Sequence, residues 1–528
     1  MSVTHSPHAP QGAVEPMGIT PWPRAALLSL SDKTGAAEFA ARLAEGGTRI
    51  LASGGTAAYL KEAGIAVTPV EDWTGFGEML GGRVKTLHPH VHAPILARRG
   101  SPSDMAEVTG KGLDPLDLVA VTLYPFEERG HALGDAGMIE EIDIGGVALL
   151  RGAAKNHDGV IVIHDPSQYD DVLDALAKGV TPADRRRWAL AAFARTARYD
   201  AAIASELARR MAGPDEPPAF QALVLERQRS LRYGENPHQV AAVYARAGAT
   251  GTLAAHREAK ELSYNNLLDL EAAVALVGRF ERPACVIVKH NQPCGAACAD
   301  TLAEAYTRAL AADPLSAFGG IVAVNRPLDG ATATAIAQLF VECVAFPELT
   351  PEADAALAGK KNVRLVRLSA ADLASDAWQL KLAGPWVLAQ REGAANAPPW
   401  RTVTRRAPSA AELGALTFAW EVAAAARSNA IVLARGEALV GLGSGQTSRV
   451  DAVDVALMKA RRAGHDVQGT VLASDGFFPF PDGVTHAAEA GVTAIVQPGG
   501  SVKDAETIAE ADRLGVAMVF TDRRVFRH

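Results

Sequence analysis

The sequence predicts an α/β protein of two or more domains. From residue 24 onward, short apolar runs alternate with amphipathic segments, and 528 residues exceed what one hydrophobic core serves. The composition, 48% hydrophobic and 21% charged, is that of a soluble globular protein. A net charge of −8 argues against nonspecific nucleic-acid binding. No apolar run approaches the roughly 20 residues that span a bilayer, so no membrane association is expected. The opening "MSVTHSPHAPQGAVEPMGITPWP" has prolines and histidines where a secretion signal needs an apolar core, so 1–23 reads as a disordered tail. Four cysteines (Cys285, Cys294, Cys298, Cys343) are too few for a disulfide framework. A cytoplasmic enzyme is the expectation.

In the first half, "AALLSLS" (25–31), "RILAS" (49–53), "LDLVAVTL" (116–123) and "GVIVI" (159–163) read as buried strands. Helical composition over 35–43, 56–61 and 147–154 completes the βαβ pattern of a mostly parallel sheet covered on both faces. Residues 181–211 form a long Ala/Arg-rich helical stretch, expected to be interrupted. The Pro-rich "AGPDEPPAF" (212–220) reads as the boundary between domains at 24–211 and 221–528.

The second half alternates again, with strands expected at 284–288, 320–325, 429–434, 438–443, 470–474, 492–496 and 516–520. Two strand–polar-loop–helix units, 285–310 and 430–460, resemble each other and predict an internal duplication. The stretch 380–410 has no clear period and reads as a connection between subdomains.

Candidate chemistry in the first half begins with "ASGGT" (52–56), between a strand and a helix. Gly54 and Gly55 let backbone N–H groups face an anion, and Ser53 and Thr56 add hydroxyls at the helix N-terminus. "SLSDKTG" (29–35) supplies Ser29, Ser31 and Lys33 at the end of the first strand. Two such loops on one side of a parallel sheet suggest a phosphate site. In "GGRVKTLHPHVHAPIL" (81–96), an extended chain would aim Arg83 and Lys85 the same way, beside Thr86. His88, His90 and His92 have no neighbouring carboxylate or cysteine and read as loop histidines rather than a metal site. Tyr124 ends the most apolar strand, Asp143 precedes a Gly pair, and Lys155 follows on a helix. An acid, a phenol and two lysines near a phosphate pocket could stabilise an oxyanion and move protons; the bland alternative is a surface ion-pair set.

In the second half, "ACVIVKHNQPCGAAC" (284–298) poses two questions. A deaminase zinc site needs H-x-E and P-C-x-x-C. His256-Arg257-Glu258 supplies the first, but Cys294 and Cys298 are one residue too far apart, and Cys298 reads as a small packed hydrophobe. Lys289-His290 at the end of an apolar strand reads in two ways. A buried ammonium costs several kcal/mol, on the order of other buried charges, unless paired or lowered in pKa, and beside a His it makes a proton-handling pair. Alternatively the strand surfaces there and both side chains are wet.

Taken in order, "SDKTG", "SGGT", "GGRVKTLHP", "LYPF", "IDIGG" and "RGAAKNH" resemble the cyclohydrolase half of the bifunctional family joining phosphoribosylaminoimidazolecarboxamide formyltransferase to IMP cyclohydrolase. "LRYGENPHQ", "KELSYNNLLD", "VKHNQPCGAA", "DPLSAFGGI", "RSNAIV", "VGLGSGQTSRVDA", "SDGFFPFPDGV" and "QPGGSVKD" resemble its transformylase half, so the likeness covers roughly 24–528. The resemblance implies a methylglyoxal-synthase-like domain followed by a duplicated cytidine-deaminase-like α/β domain without zinc. It implies phosphate binding by Ser29/Ser31/Lys33 and Ser53–Thr56, catalysis by Lys85, Tyr124, Asp143 and Lys155, and substrate contacts from Arg83 and Thr86. In the transformylase half it implies that His290 takes the proton of the ribotide 5-amine, while Lys289 and Asn429 stabilise the oxyanion. Arg232, Tyr233, Asn266 and Asp269 would hold the nucleotide. Phe477, Phe478 and Asp482 would line the folate site, and Arg524 belongs to a C-terminus that is part of it. The cosubstrate implied is 10-formyltetrahydrofolate, with no metal required.

Thr122 stands where the family usually has Asn, an Ala where it often has Lys before Arg427-Ser428-Asn429, and Val525 where it has His. A homodimer is implied, and the Ala-rich stretches 183–208 and 415–426 carry more apolar surface than one helix stripe needs. The rival readings are a zinc deaminase fused to a methylglyoxal-synthase-like domain, and a nucleotide sensor with retired sites.

Overall fold

The computed structural model describes residues 22–77, 79–213, 216–246, 254–257, 260–368, 378–391 and 400–528. It divides into two compact units, Met1–Glu226 and Arg227–His528, a few residues beyond the Pro-rich break. Of the expected tail, 1–21 lies outside the described residues, whereas Trp22 packs against the core of the first unit.

The first unit is a five-stranded parallel sheet, β1 (Ala25–Leu30), β2 (Arg49–Ala52), β3 (Thr68–Pro69), β4 (Leu118–Thr122) and β5 (Ile161–Ile163), ordered β3-β2-β1-β4-β5. β4 is buried throughout, as a strand covered on both faces must be. From β1 the connections run outward through β2 to β3, and from β4 to β5, so the topological switch lies between β1 and β4. Ligands of such sheets bind at the carboxyl ends of the strands flanking that point. The loops after β1 and β4 carry Ser31–Lys33 and Tyr124.

Residues Pro182–Met211 form one helix, without the expected interruption. Thr181 and Asp184 make a reciprocal capping box, Pro182 occupies the first turn, and no Gly or Pro follows within it. Trp188, Ala189, Ala192, Thr196 and Tyr199 form its buried stripe.

The unit boundary falls within β6 (Leu225–Leu231), which pairs with β7 (Ala241–Arg246). The second unit then holds the same architecture twice. One sheet is β10-β9-β11-β12-β13-β8, built from β8 (Ala254–Arg257), β9 (Ala284–Lys289), β10 (Gln292–Cys298), β11 (Ile321–Val324), β12 (Cys343–Phe346) and β13 (Arg364–Arg367). After a ribbon of β14 (Trp378–Ala383) and β15 (Trp386–Arg391) comes the second sheet. It is β18-β17-β19-β20-β21-β16, from β16 (Arg401–Thr402), β17 (Ile431–Ala434), β18 (Leu439–Gly443), β19 (Val471–Ser474), β20 (Ala494–Gln497) and β21 (Ala517–Phe520). In both, the two central pairings are parallel and the flanking ones antiparallel, so the duplication holds in order and in strand direction.

Two sequence expectations are corrected here. Residues 380–391 are not a featureless connector but most of a hairpin, turned at Gly384-Pro385 with Gly384 at φ +61. The polar loop expected after β9 is a second strand, β10, and its counterpart is β18. Gly295 and Gly443 explain why the strands sit there. A Cβ on either would collide with the backbone of the helix that follows, Leu302–Ala312 or Arg449–Arg462.

Helices Tyr264–Val277 and Ala410–Ala425 lie in one core between the sheets. The second is apolar on nearly every side, as a helix packed between two sheets must be. Its surface is therefore consumed within the chain, and the 415–426 stretch is not left over for a subunit interface. The other faces of the two sheets are covered by separate helical cores. The repeats join edge to edge: Ala297 bridges Ala438, and Cys298 N donates to Glu437 O at 2.8 Å.

Candidate active sites

In the first unit the two candidate phosphate-loop segments are stitched together. Ser29 Oγ and Ser53 Oγ are 2.9 Å apart, and Leu30 N donates to Thr56 Oγ1 at 2.9 Å. Ser53 precedes the helix Gly54–Glu62, and its side chain makes no capping bond, so the first N–H groups of that helix are not consumed by it. Thr122 holds the other loop. Its Oγ1 accepts from Asp32 N at 2.9 Å and donates to Asp32 O at 3.2 Å. The residue that departs from the family pattern thus fastens β4 to the Ser31–Lys33 turn.

The segment 83–86 is a turn rather than extended chain, so Arg83 and Lys85 diverge. Arg83 pairs with Glu140, while Lys85 Nζ lies so close to Gly54 that any side chain there would strike it. Thr86 Oγ1 is packed equally tightly on Gly145, which opens the helix Gly145–Lys155. This one turn therefore connects the phosphate-loop helix to the Asp143 helix.

Asp143 is well placed for proton chemistry. Its carboxylate accepts from Gly146 N at 2.7 Å and from the backbone N–H of Tyr124. Burial nonetheless outweighs those donors and raises its pKa above the ordinary value. Tyr199 fixes the loop, accepting from Asp143 N at 2.8 Å and donating to Glu141 O at 3.0 Å. Sequence spacing gave no signal for Tyr199, which is 56 residues away. Tyr124 presents an exposed side chain. Lys155 sits at the far end of its helix, about 15 Å from Gly145 at the usual rise. It does not touch Asp143, although both line one groove of about 590 Å³ with His92, Arg151 and Phe193. Burial lowers the pKa of His92, and His88 caps its helix by accepting from His90 N at 3.1 Å, so neither is a plain loop histidine.

In the second unit, Lys289 ends β9 half-buried and donates to Phe318 O at 2.7 Å, while His290 is exposed. The strand surfaces here, so the costly buried ammonium is not what the fold contains. His290 and Asn291 form the two-residue β9–β10 turn, both with positive φ, +52 and +60. The turn is tied to the second repeat because Arg427 N donates to Gln292 Oε1 at 3.0 Å. That bond brings the His290 turn beside the segment carrying Asn429.

Asn429 is held at both ends of its amide. Oδ1 accepts from Arg449 Nη2 at 2.6 Å, and Nδ2 donates to Gln446 O at 2.9 Å. Arg449 also donates to Ser474 Oγ at 2.7 Å and to the fully buried Asp475 Oδ1 at 2.6 Å. Asn429, Arg449, Phe477, Phe478, Asp482 and Phe526 line a cavity of about 510 Å³. The expected folate stretch and the expected catalytic amide thus share one pocket, with Phe478 as a buried wall. Arg449, Gln446, Asp475 and Phe526 were missed as site residues, though "GSGQTSR" and the C-terminal tail flagged their neighbourhood. Val525 contributes through its backbone, donating N–H to Asp475 O at 3.0 Å. Arg524 is exposed, its guanidinium 5.0 Å over the Phe526 ring.

The four expected nucleotide contacts stand in different settings. Arg232 is exposed, its guanidinium 5.6 Å over the ring of Tyr233. Asn266 Oδ1 instead accepts from Ser263 N at 3.2 Å in the capping box that starts helix Tyr264–Val277. Asp269 accepts from Asn291 N at 2.6 Å.

The cysteine question has a geometric answer. Cys294 packs into the core on one face of its sheet and Cys298 into the core between the sheets. The two thiols face apart and cannot share an ion. Burial pushes both up to about 12. Glu258 lies outside the described residues. Among those described, no group of three or more His, Cys, Asp or Glu is arranged to hold a metal.

The fold is that of a two-part α/β protein, a parallel-sheet unit with Gly- and hydroxyl-bearing loops followed by an internally duplicated unit. Residues 35–148 match the MGS-like domain, and residues 153–459 match the AICARFT/IMPCHase bienzyme. The bifunctional purine biosynthesis protein PurH of Chloroflexus aurantiacus is 50% identical over 512 residues, covering 95% of this chain and 98% of that protein. Those of Anaeromyxobacter dehalogenans strain 2CP-C and Persephonella marina are 48% and 46% identical over 526 and 513 residues, each covering 96% of this chain and 100% of theirs. The chain belongs to the AICARFT/IMPCHase bienzyme family.

Proposed function

We propose that formyl transfer occurs where the His290 turn meets the Asn429 cavity, and ring closure at the carboxyl ends of β1, β2 and β4. The chain carries out the last two steps of IMP synthesis. A formyl group passes from 10-formyltetrahydrofolate to 5-amino-1-(5-phosphoribosyl)imidazole-4-carboxamide, and the product closes to IMP with loss of water. The reading of the zinc deaminase finds no support in either match or in the cysteine geometry.

The acceptor amine is conjugated with the imidazole and is a poor nucleophile, so a base must take its proton as the bond to formyl carbon forms. His290 is the candidate base. Lys289 keeps ammonium protons beyond the one given to Phe318 O, and Asn429 keeps one N–H beyond that given to Gln446. Both would donate to the developing oxyanion. The observation that supports this reading is the Arg449–Asn429 bond, which fixes which end of the amide is oxygen and which is the N–H donor. Phe477, Phe478 and Asp482 would receive the folate, with Arg524 at its rim. Arg232 and Tyr233 would contact the ribotide, and Asn266 would reach it only through its Nδ2.

For ring closure, Ser29, Ser31, Lys33 and the Ser53–Thr56 helix start would hold the phosphate. Lys85, Tyr124 and Asp143 would handle charge and protons at the closing ring, with Arg83, Thr86 and Lys155 as further contacts. The protein acts in this reading without a metal, as a homodimer in the cytoplasm. No helix of the described residues is long and apolar enough to cross a membrane. The 182–211 helix, which leaves Leu190, Phe193 and Leu207 exposed, supplies apolar surface for a partner subunit.

One assay tests the whole reading: ribotide and 10-formyltetrahydrofolate, with chelator present, following formyl loss and inosinate together. Equimolar loss and gain are expected. Formyl loss without inosinate, or zinc-dependent ammonia release, would overturn it.

A further inference from the structure

The β9–β10 turn is conformationally expensive. Two-residue turns with positive φ at both positions favour Asn-Gly, because non-glycine residues crowd their own backbone in the left-handed region. Here the pair is His290-Asn291, at φ +52 and +60, with no glycine. His and Asn enter this region more readily than most non-glycine residues, and a contact from outside the hairpin offsets the cost that is left. The carboxylate of Asp269, on helix Tyr264–Val277, provides it. It accepts from Asn291 N at 2.6 Å and from the backbone N–H of His290. Successive N–H groups converging on one anion make a compact nest. Among the described residues, no other side chain accepts from these two N–H groups.

Resting on the reading of His290 as the base for formyl transfer, we propose that Asp269 is a positioning residue and not a nucleotide contact. It clamps the left-handed turn and so fixes where the His290 imidazole stands relative to the Asn429 cavity. Two further contacts fit this role. Lys289, before the turn, is pinned to Phe318 O, and Gln292, after it, is pinned to Arg427 N. Asp269 fastens the two residues between them. Its carboxylate is half-buried, and burial raises its pKa, so it sits where the N–H pair is its main compensation. Both of the donors that compensate it are backbone groups of the turn, and the charge of the His290 side chain also favours its ionised form.

The test is steady-state kinetics on the full-length enzyme, with ring closure as the control for folding. Asp269→Ala is expected to lower transformylase kcat by about 10–100-fold, the scale of a misplaced catalytic group. The KM for ribotide should stay within about twofold, since no ribotide contact is lost. Asp269→Asn, which keeps one acceptor oxygen, should fall between Asp269→Ala and wild type, and serves if the alanine variant does not fold. Adding Asn291→Gly to Asp269→Ala should restore much of kcat, because glycine adopts the left-handed position without a clamp. A rise in ribotide KM with unchanged kcat, or no rescue by glycine, would overturn the proposal in favour of a direct contact. His290→Ala separates the two levels. If it keeps transformylase activity, the reading of the base fails; if it is inactive while Asp269→Ala is not, only the clamp fails.

Discussion

Arg449 Nη2 donates to Asn429 Oδ1 at 2.6 Å while Nη1 of the same guanidinium donates to the buried Asp475. One side chain thus solves two problems. It neutralises a carboxylate with no solvent exposure, and it fixes the Asn429 amide with Oδ1 on the guanidinium and Nδ2 toward Gln446 O. Stability of the second unit and geometry of the pocket are coupled through this residue.

That coupling separates two variants. Asn429→Ala removes one oxyanion donor and should lower transformylase activity by about 10²–10³-fold, with a smaller loss of stability than Arg449→Ala because it leaves a buried donor unpaired and not a buried charge. Arg449→Ala leaves Asp475 as a buried, unpaired charge, which typically costs about 3–5 kcal/mol. Chemical denaturation should show that loss in the second unit, while ring closure in the first continues. Equal stability of the two variants would contradict the pairing.

His290→Ala should reduce formyl transfer by about 10²–10⁴-fold, the usual contribution of a general base. Ring closure, assayed on the formylated ribotide, should stay near wild type. Parallel loss of both activities would make His290 structural.

Asp143→Asn should abolish ring closure and leave the protein at least as stable as wild type at neutral pH. The sign follows from its raised folded pKa. A group shifted upward contributes stability that is present below its unfolded value, near 3.8, and lost as pH rises through the folded value. At pH 7 the ionised carboxylate is therefore a cost, which the amide removes. Thermal melting at pH 7 and near pH 4 should show the advantage of the variant shrinking toward the lower pH.

Glu412 predicts the opposite pH sense. Arg406 holds it through paired bonds of 2.9 Å, and Ser409 N donates at 2.8 Å, which keeps its pKa at about 2. Its contribution is present above the unfolded value of 4.5 and lost as pH falls toward about 2. Glu412→Gln should therefore be less stable than wild type at pH 7, and the gap in urea midpoint should narrow through that acid window. A constant gap would mean that the ion pair contributes nothing pH-dependent.

Much of this protein was legible from local pattern. Apolar runs marked β1, β4, β9 and β17, because strands buried on both faces have no polar alternation to obscure them. The paired strand–loop–helix units announced the duplication, and glycine with hydroxyl residues after strands marked the candidate phosphate loops. Other elements were hidden for identifiable reasons. "QPCGAAC" has weak strand propensity and a proline, yet it is β10, because β9 offers it a ladder and Gly295 lets a helix backbone press on it. Arg83 and Lys85 seemed parallel only on the assumption of an extended chain, which the turn at 83–86 removed.

The sequence by itself determined the α/β class, the repeat, and which loops carry reactive side chains, since periodicity and residue type are local properties. Only the tertiary structure decided what those side chains do. It set Cys294 and Cys298 on opposite faces of a sheet, gave Asn266 to a helix cap, and gave Asp269 to the His290 turn. It also joined Arg449 to Asp475 and Tyr199 to Asp143. Each of these depends on a partner brought close by packing between separate elements. Buried donors and acceptors must be satisfied by whatever the fold places within about 3 Å, and spacing along the chain does not specify that neighbour.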